Sequence, residues 1–204
     1  LEGRVPPEGP LLDLAPPLVP GQWIVAHGGA TETVNRHLGV LSLPEPRRSN
    51  WRGQAHAVDV LGLAGLSPGV ALGRPADPTA YPIWDAAVLA PCAGEVVAVV
   101  DGLPDQRVPD MDTERRAGNN VLLACGAHHV LLAHLRKGSV VVFAGQEVET
   151  GAPLGRVGNS GASSEPHLHL HVQTPATAGA PFSGRPVPFT VAGRYLVRNA
   201  VLSP

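Results

Sequence analysis

The sequence predicts an all-β fold, a mostly antiparallel sheet or sandwich preceded by a proline-rich arm. Three observations predict it. Glycine (24) and proline (22) are spread through the 204 residues, which argues against long helices because proline breaks them and glycine weakens them. Short Val/Leu/Ala-rich runs recur between turn signals, as in sheets built from many short strands. In Glu165-Pro-His-Leu-His-Leu-His-Val, His167, His169 and His171 alternate with Leu168, Leu170 and Val172, which is the two-residue period of a strand.

Residues 1–20 hold Pro6, Pro7, Pro10, Pro16, Pro17 and Pro20, with Leu11, Leu12, Leu14 and Leu18 between them. Such a run makes neither a helix nor a central strand, so an extended arm laying its leucines on the domain is expected. Gly21-Gln-Trp-Ile-Val-Ala reads as a short strand ending at His27-Gly28-Gly29, and 30–50 as loop. Trp51 to Leu61 reads as a buried strand, and Ala64 to Ala80 as a Gly/Pro-rich surface excursion. Val88 to Asp101 reads as two short strands around a turn at Ala93-Gly94, and the polar run to Arg116 as a long loop. Asn119–Cys125 and His129–Leu135 form the next strand pair, turning at Gly126-Ala127. The expected organisation is therefore an arm and loop over 1–50 and one domain over 51–204. Val121, Leu123, Val130, Leu132, Leu168 and Leu170 are the expected core behind the last strand.

Composition excludes some functions. The formal net charge is −2, and with no Lys/Arg run to follow a phosphate backbone a nucleic-acid partner is not expected. No apolar run reaches the length of a membrane span. Leu1-Glu-Gly-Arg is not a signal peptide and carries no initiator Met, so a fragment, or a processed form whose secretion leader has been removed, is expected. Cys92 and Cys125 are too few for a disulfide framework and do not have zinc-site spacing. One bridge between neighbouring strands and two buried thiols are both open.

The alternation of the last strand turns its aliphatic side chains to one face and three imidazoles to the other. Neutral imidazole is the commonest metal ligand and a common general base. Asp59, between Val58 and Val60, puts a carboxylate into an otherwise apolar run. Burying it costs several kcal/mol unless it is paired or coordinated, which makes Asp59 a ligand candidate.

With Asp59, His134, His167 and His169 on strands, the chain resembles the lysostaphin-type (LytM-like) zinc metallopeptidases, which hydrolyse the peptide cross-links of bacterial peptidoglycan. The resemblance runs from about Trp51 to Val172. It is carried by Leu89-Ala-Pro-Cys-Ala-Gly-Glu-Val-Val, by Leu132-Ala-His-Leu, and by Gly158-Asn-Ser-Gly-Ala-Ser-Ser-Glu-Pro-His-Leu-His. It implies an antiparallel sheet folded over a substrate groove, walled by 30–50, 64–80 and 102–117. It implies one zinc ion held by Asp59 and His169, with His134 and His167 as the two catalytic histidines. It also implies a peptidoglycan peptide, or another peptide, as substrate and an extracytoplasmic location.

The third ligand departs from the family pattern. The family places a histidine four residues before the aspartate, where this chain has Ala55. Relatives with Asn-x-His upstream of Gln-x-Tyr-Ala-x-Asp match Asn35-Arg-His37 and Gln54-Ala-His-Ala-Val-Asp59, which makes His37 the expected ligand. His56 is the alternative, reached only through a bulged strand, and His27 follows. His171 stands where the family commonly has an acidic or amide residue, so a supporting or groove-lining role is expected. Because family members can lose a ligand and act as modules that bind peptidoglycan or regulate cell-wall amidases, that non-enzymatic role is the rival expectation.

Overall fold

A computed structural model describes residues 11–64, 67–68 and 75–202. Among them are fourteen strands: β1 (Leu12–Leu14), β2 (Trp23–His27), β3 (Val58–Ala64), β4 (Ser67–Pro68), β5 (Ala87–Leu89), β6 (Gly94–Val100), β7 (Asn119–Cys125), β8 (His128–Leu135), β9 (Glu147–Val148), β10 (Pro153–Arg156), β11 (Leu168–Gln173), β12 (Pro186–Val187), β13 (Phe189–Val191) and β14 (Val201–Leu202). The main sheet runs β14-β2-β3-β11-β8-β7-β6-β9, with β12 beside β11 and β4 beside β3. Its pairings are antiparallel. A β10–β5 pair and a parallel β1–β13 pair pack with it.

Strand alternation sorts the side chains as the sequence predicts. Val121, Leu123, Val130, Leu132, Leu168 and Leu170 are fully buried in one core, with Val58, Val60 and Val172 among them. Each such side chain contributes roughly 1.5–3 kcal/mol by leaving water. The opposite face of β3 and β11 is left to Asp59, His169 and His171.

Three expectations change in detail. Residues 51–56, expected as strand, and 47–50, expected as loop, form instead a short helix, α1 (Arg47–Trp51), running into a 3-10 turn (Arg52–His56). Glu45 holds its start by accepting from the Ser49 amide and the Arg48 side chain, and Gly53 lets the turn close on Phe182, whose carbonyl accepts from the Gly53 amide at 2.8 Å. A Cβ at Gly53 would meet the Gln173 side-chain oxygen. These polar and steric contacts leave no hydrophobic period to read. β5 and β6 flank the Ala93-Gly94 turn but do not pair, since β5 joins β10 and β6 joins β7. In the described part of the arm, Leu14 and Leu18 enter the core itself. Residues 1–10, and 65–66 and 69–74 of the 64–80 excursion, lie outside the described residues. Of the two states open for the cysteines, the bridge is present, Cys92 to Cys125.

Candidate metal centre

The sheet aligns the central side chains in one row. His169 lies opposite Asp59 on one side and Ala133 on the other, and His27 lies opposite Asp59 from β2. The 3-10 segment Arg36–Ser42, capped by Asn35, brings His37 over this floor. One donor atom from each of His37, Asp59 and His169 lies within 4.8 Å of the others. His169 Nδ1 is 3.0 Å from Asp59 Oδ1, His37 Nε2 is 3.4 Å from Asp59 Oδ2, and His167 Nε2 is 3.6 Å from Asp59 Oδ1.

Hydrogen bonding decides which ring nitrogens are bare. The Asn35 amide nitrogen donates towards the carbonyls of Gly29, Ala55 and Ala57, so its oxygen is the acceptor on the other side. That oxygen accepts from the His37 backbone amide at 3.1 Å and lies 3.0 Å from His37 Nδ1. His37 therefore carries its proton on Nδ1, and its Nε2 lone pair faces a carboxylate. Two electron-rich atoms at 3.4 Å attract each other only through a cation between them or a proton on His37.

A proton is not retained there at neutral pH. Burial, outweighing the nearby Asp59 charge, lowers His37 from 6.5 to about 4. Burial pushes the Asp59 carboxyl up, but His37, His167 and His169 outweigh it and hold the group well below 3.8. At neutral pH the centre thus sets the bare Nε2 of a neutral His37 against an ionised carboxylate. A carboxylate with the bare Nε2 of His37 and a ring nitrogen of His169 is a donor set suited to zinc.

His134 and His167 stand beside this trio with ring centroids 4.6 Å apart. His134 Nδ1 donates to the Ser160 carbonyl at 2.8 Å, and His167 Nδ1 donates to the Glu165 carbonyl at 2.8 Å with Ser163 Oγ at 3.0 Å. Both rings thus leave Nε2 free to accept a proton. His134 has φ +63°, a backbone region that non-glycine residues rarely occupy and that gathers at functional sites. Burial, then His167 and His169, holds its ring well below 6.5, so it is neutral at pH 7.

A groove of about 1180 Å³ opens over the row, walled by Trp51, Met111, Arg116 and Phe182. The 30–50 and 102–117 segments contribute to it, as expected, whereas the described part of 64–80 does not line it. Arg116 stacks on Trp51 with its guanidinium 4.4 Å from the ring centroid. His56 ends the 3-10 turn, outside the trio, and its Nδ1 is buried without a hydrogen-bond partner. His27 lines the groove with its Nδ1 likewise unpartnered. Asn35 enters the sequence reading only through the Asn-x-His match, with no role of its own, and Phe182 carries no signal in the sequence. An isolated asparagine and an aromatic in a Gly/Pro loop have no period, and only the fold gives them neighbours.

The family model described as Peptidase family M23 matches residues 81–182. Among solved structures, a zinc-containing peptidase from Vibrio cholerae is 18% identical over 91% of this chain and 38% of its own, with a TM-score of 0.40. The structure of Helicobacter pylori Csd3 is 15% identical over 95% and 35%, with a TM-score of 0.44. The catalytic domain of the antimicrobial peptidase lysostaphin from Staphylococcus simulans is 20% identical over 48% and 71%, with a TM-score of 0.34. This chain thus spans well under half the length of the Vibrio and Helicobacter chains. Among curated proteins, none matches it.

Proposed function

We propose that this chain, which belongs to peptidase family M23, is a zinc-dependent endopeptidase that hydrolyses peptide cross-links of bacterial peptidoglycan outside the cytoplasm. The observation that carries the proposal is the bare His37 Nε2 facing the ionised Asp59 carboxylate in a row completed by His169. Family membership supports the class of reaction. The Cys92–Cys125 bridge supports an oxidising compartment. Among the described residues no helix is long and apolar enough to cross a membrane.

His37, Asp59 and His169 would hold one zinc ion, which when bound supplies Lewis-acid activation of water and of the scissile carbonyl. The chain's own groups do the proton work. Each of His134 and His167 has its Nδ1–H tied to a backbone carbonyl, so each ring is held in one orientation and one tautomer. One accepts a proton from the attacking water on Nε2 and returns it to the departing amine. In its protonated form it also donates to the charge developing on the carbonyl oxygen, and roles of this kind are worth about 10²–10⁴-fold. The groove positions a peptide across the row with Trp51 and Phe182 as apolar walls.

The test is turnover of purified peptidoglycan, followed by release of soluble fragments, for the wild type, His134→Ala and His167→Ala. Wild-type cleavage that falls at least about 10²-fold in both variants, with zinc still bound, is the expected result. A wild type that binds zinc and peptidoglycan but never cleaves would assign the chain to the non-catalytic binding class.

A further inference from the structure

We propose that His171 is a positioning residue: it holds His169 in the tautomer that presents Nδ1, and not Nε2, to a metal. The proposal rests on the zinc reading above and adds a residue to it. His171 Nδ1 lies 3.0 Å from His169 Nε2, and both rings are buried. His171 stacks on Phe182 with ring centroids 5.5 Å apart and an interplanar angle of 29°, so its plane is fixed by packing. It sits one strand period beyond His169 on β11, in register with Leu131 of β8.

The two nitrogens of His169 face different partners. Nδ1 faces the Asp59 carboxylate at 3.0 Å, and among the described residues the hydrogen-bond partner of Nε2 is the His171 ring. Without a metal, a proton on Nδ1 satisfies the carboxylate, and Nε2 accepts from His171 Nδ1–H. To bind a cation beside Asp59, Nδ1 must be bare, so the ring proton of His169 must then sit on Nε2. That N–H is buried and needs an acceptor, because an unpaired buried donor is costly. Among the described residues His171 Nδ1 is its hydrogen-bond partner, and it accepts once its own proton is on its Nε2, which is buried without a direct hydrogen bond and has the Gln173 side chain as the group that favours a proton there. Each ring keeps one proton throughout; what His171 fixes is the end that carries it. Partners of this kind orient metal-ligating histidines and raise their basicity.

Zinc affinity, measured by competition with a chromophoric chelator, separates this role from packing. His171→Phe keeps an aromatic ring on Phe182 but removes the acceptor, and it should weaken zinc binding about 10–100-fold. His171→Gln offers an amide oxygen and should stay within roughly threefold of wild type. Equal affinity in wild type and His171→Phe would overturn the proposal while leaving the zinc site standing. Because His171→Phe could fail to fold, nitrogen-15 NMR of the zinc-loaded wild type tests the same point directly. Metal on His169 Nδ1 with a proton on Nε2 is expected, and metal on Nε2 would overturn the proposal. A wild type that takes up no zinc would overturn the zinc reading itself, and this proposal with it.

Discussion

Replacing Asn35 with alanine should damage the fold and the metal site together, through separable amounts. The Asn35 side chain is fully buried and bridges three backbone carbonyls, the His37 amide and the His37 ring. Its amide nitrogen has only two protons, so the three carbonyls at 3.1–3.3 Å share them. Removal leaves two to three buried acceptors and one amide short of a partner, and a net loss of about 2–4 kcal/mol follows. For a domain of this size that lowers Tm by roughly 5–15 °C. The scan is run in chelator so that metal linkage does not mask the scaffold term. Freed from Asn35, His37 can place its proton on Nε2, and zinc affinity should fall about 10–100-fold. A variant whose Tm in chelator and zinc affinity both match wild type would refute the role assigned to Asn35.

The metal-free protein should lose stability as pH falls from 7 to 5. His37 titrates at about 4 when folded, against the ordinary histidine value of 6.5, so between those values the unfolded chain binds more protons and stability rises with pH. His37 alone accounts for about 2 kcal/mol between pH 7 and pH 5, and burial lowers His134, His171, His27 and His56 with the same sign. Asp59, lowered from 3.8, loses its contribution only below this window. Denaturant unfolding in chelator at the two pH values checks this, and flat or rising stability on acidification would contradict it. Reducing Cys92–Cys125, which closes a loop with a sequence separation of 33, should cost about 3–4 kcal/mol. The bridge leaves β7 at the opposite end of the β7–β8 hairpin from His134, so zinc affinity should be unchanged, and a parallel loss of zinc would contradict that separation.

Much of the frame is legible because strand alternation is a local rule. Leu168 and Leu170 have to face opposite to His169, and Asp59 has to leave the core that Val58 and Val60 enter. His37 is reached through resemblance alone, since nothing in Val34-Asn-Arg-His signals a contact with a strand about twenty residues on. His56 illustrates the converse. The run before Asp59 reads as strand, but capping by Glu45 and the close approach at Gly53 wind it into helical turns, so counting back along a strand from Asp59 has no meaning there. The pairings of β5 with β10 and of β1 with β13 are long-range choices that no local pattern encodes. Nor can the sequence show which nitrogen of each histidine is bare, because that depends on the Asn35 amide and on the Ser160 and Glu165 carbonyls, known only once the chain is folded.

Zinc per chain, measured after purification without chelator and again after adding zinc back, tests the central claim most directly. The set is wild type, His37→Ala, Asp59→Ala, His169→Ala and His56→Ala. The account predicts about one zinc in wild type and in His56→Ala, and a loss in the other three. No zinc in the folded wild type, or a loss confined to His56→Ala, would contradict it.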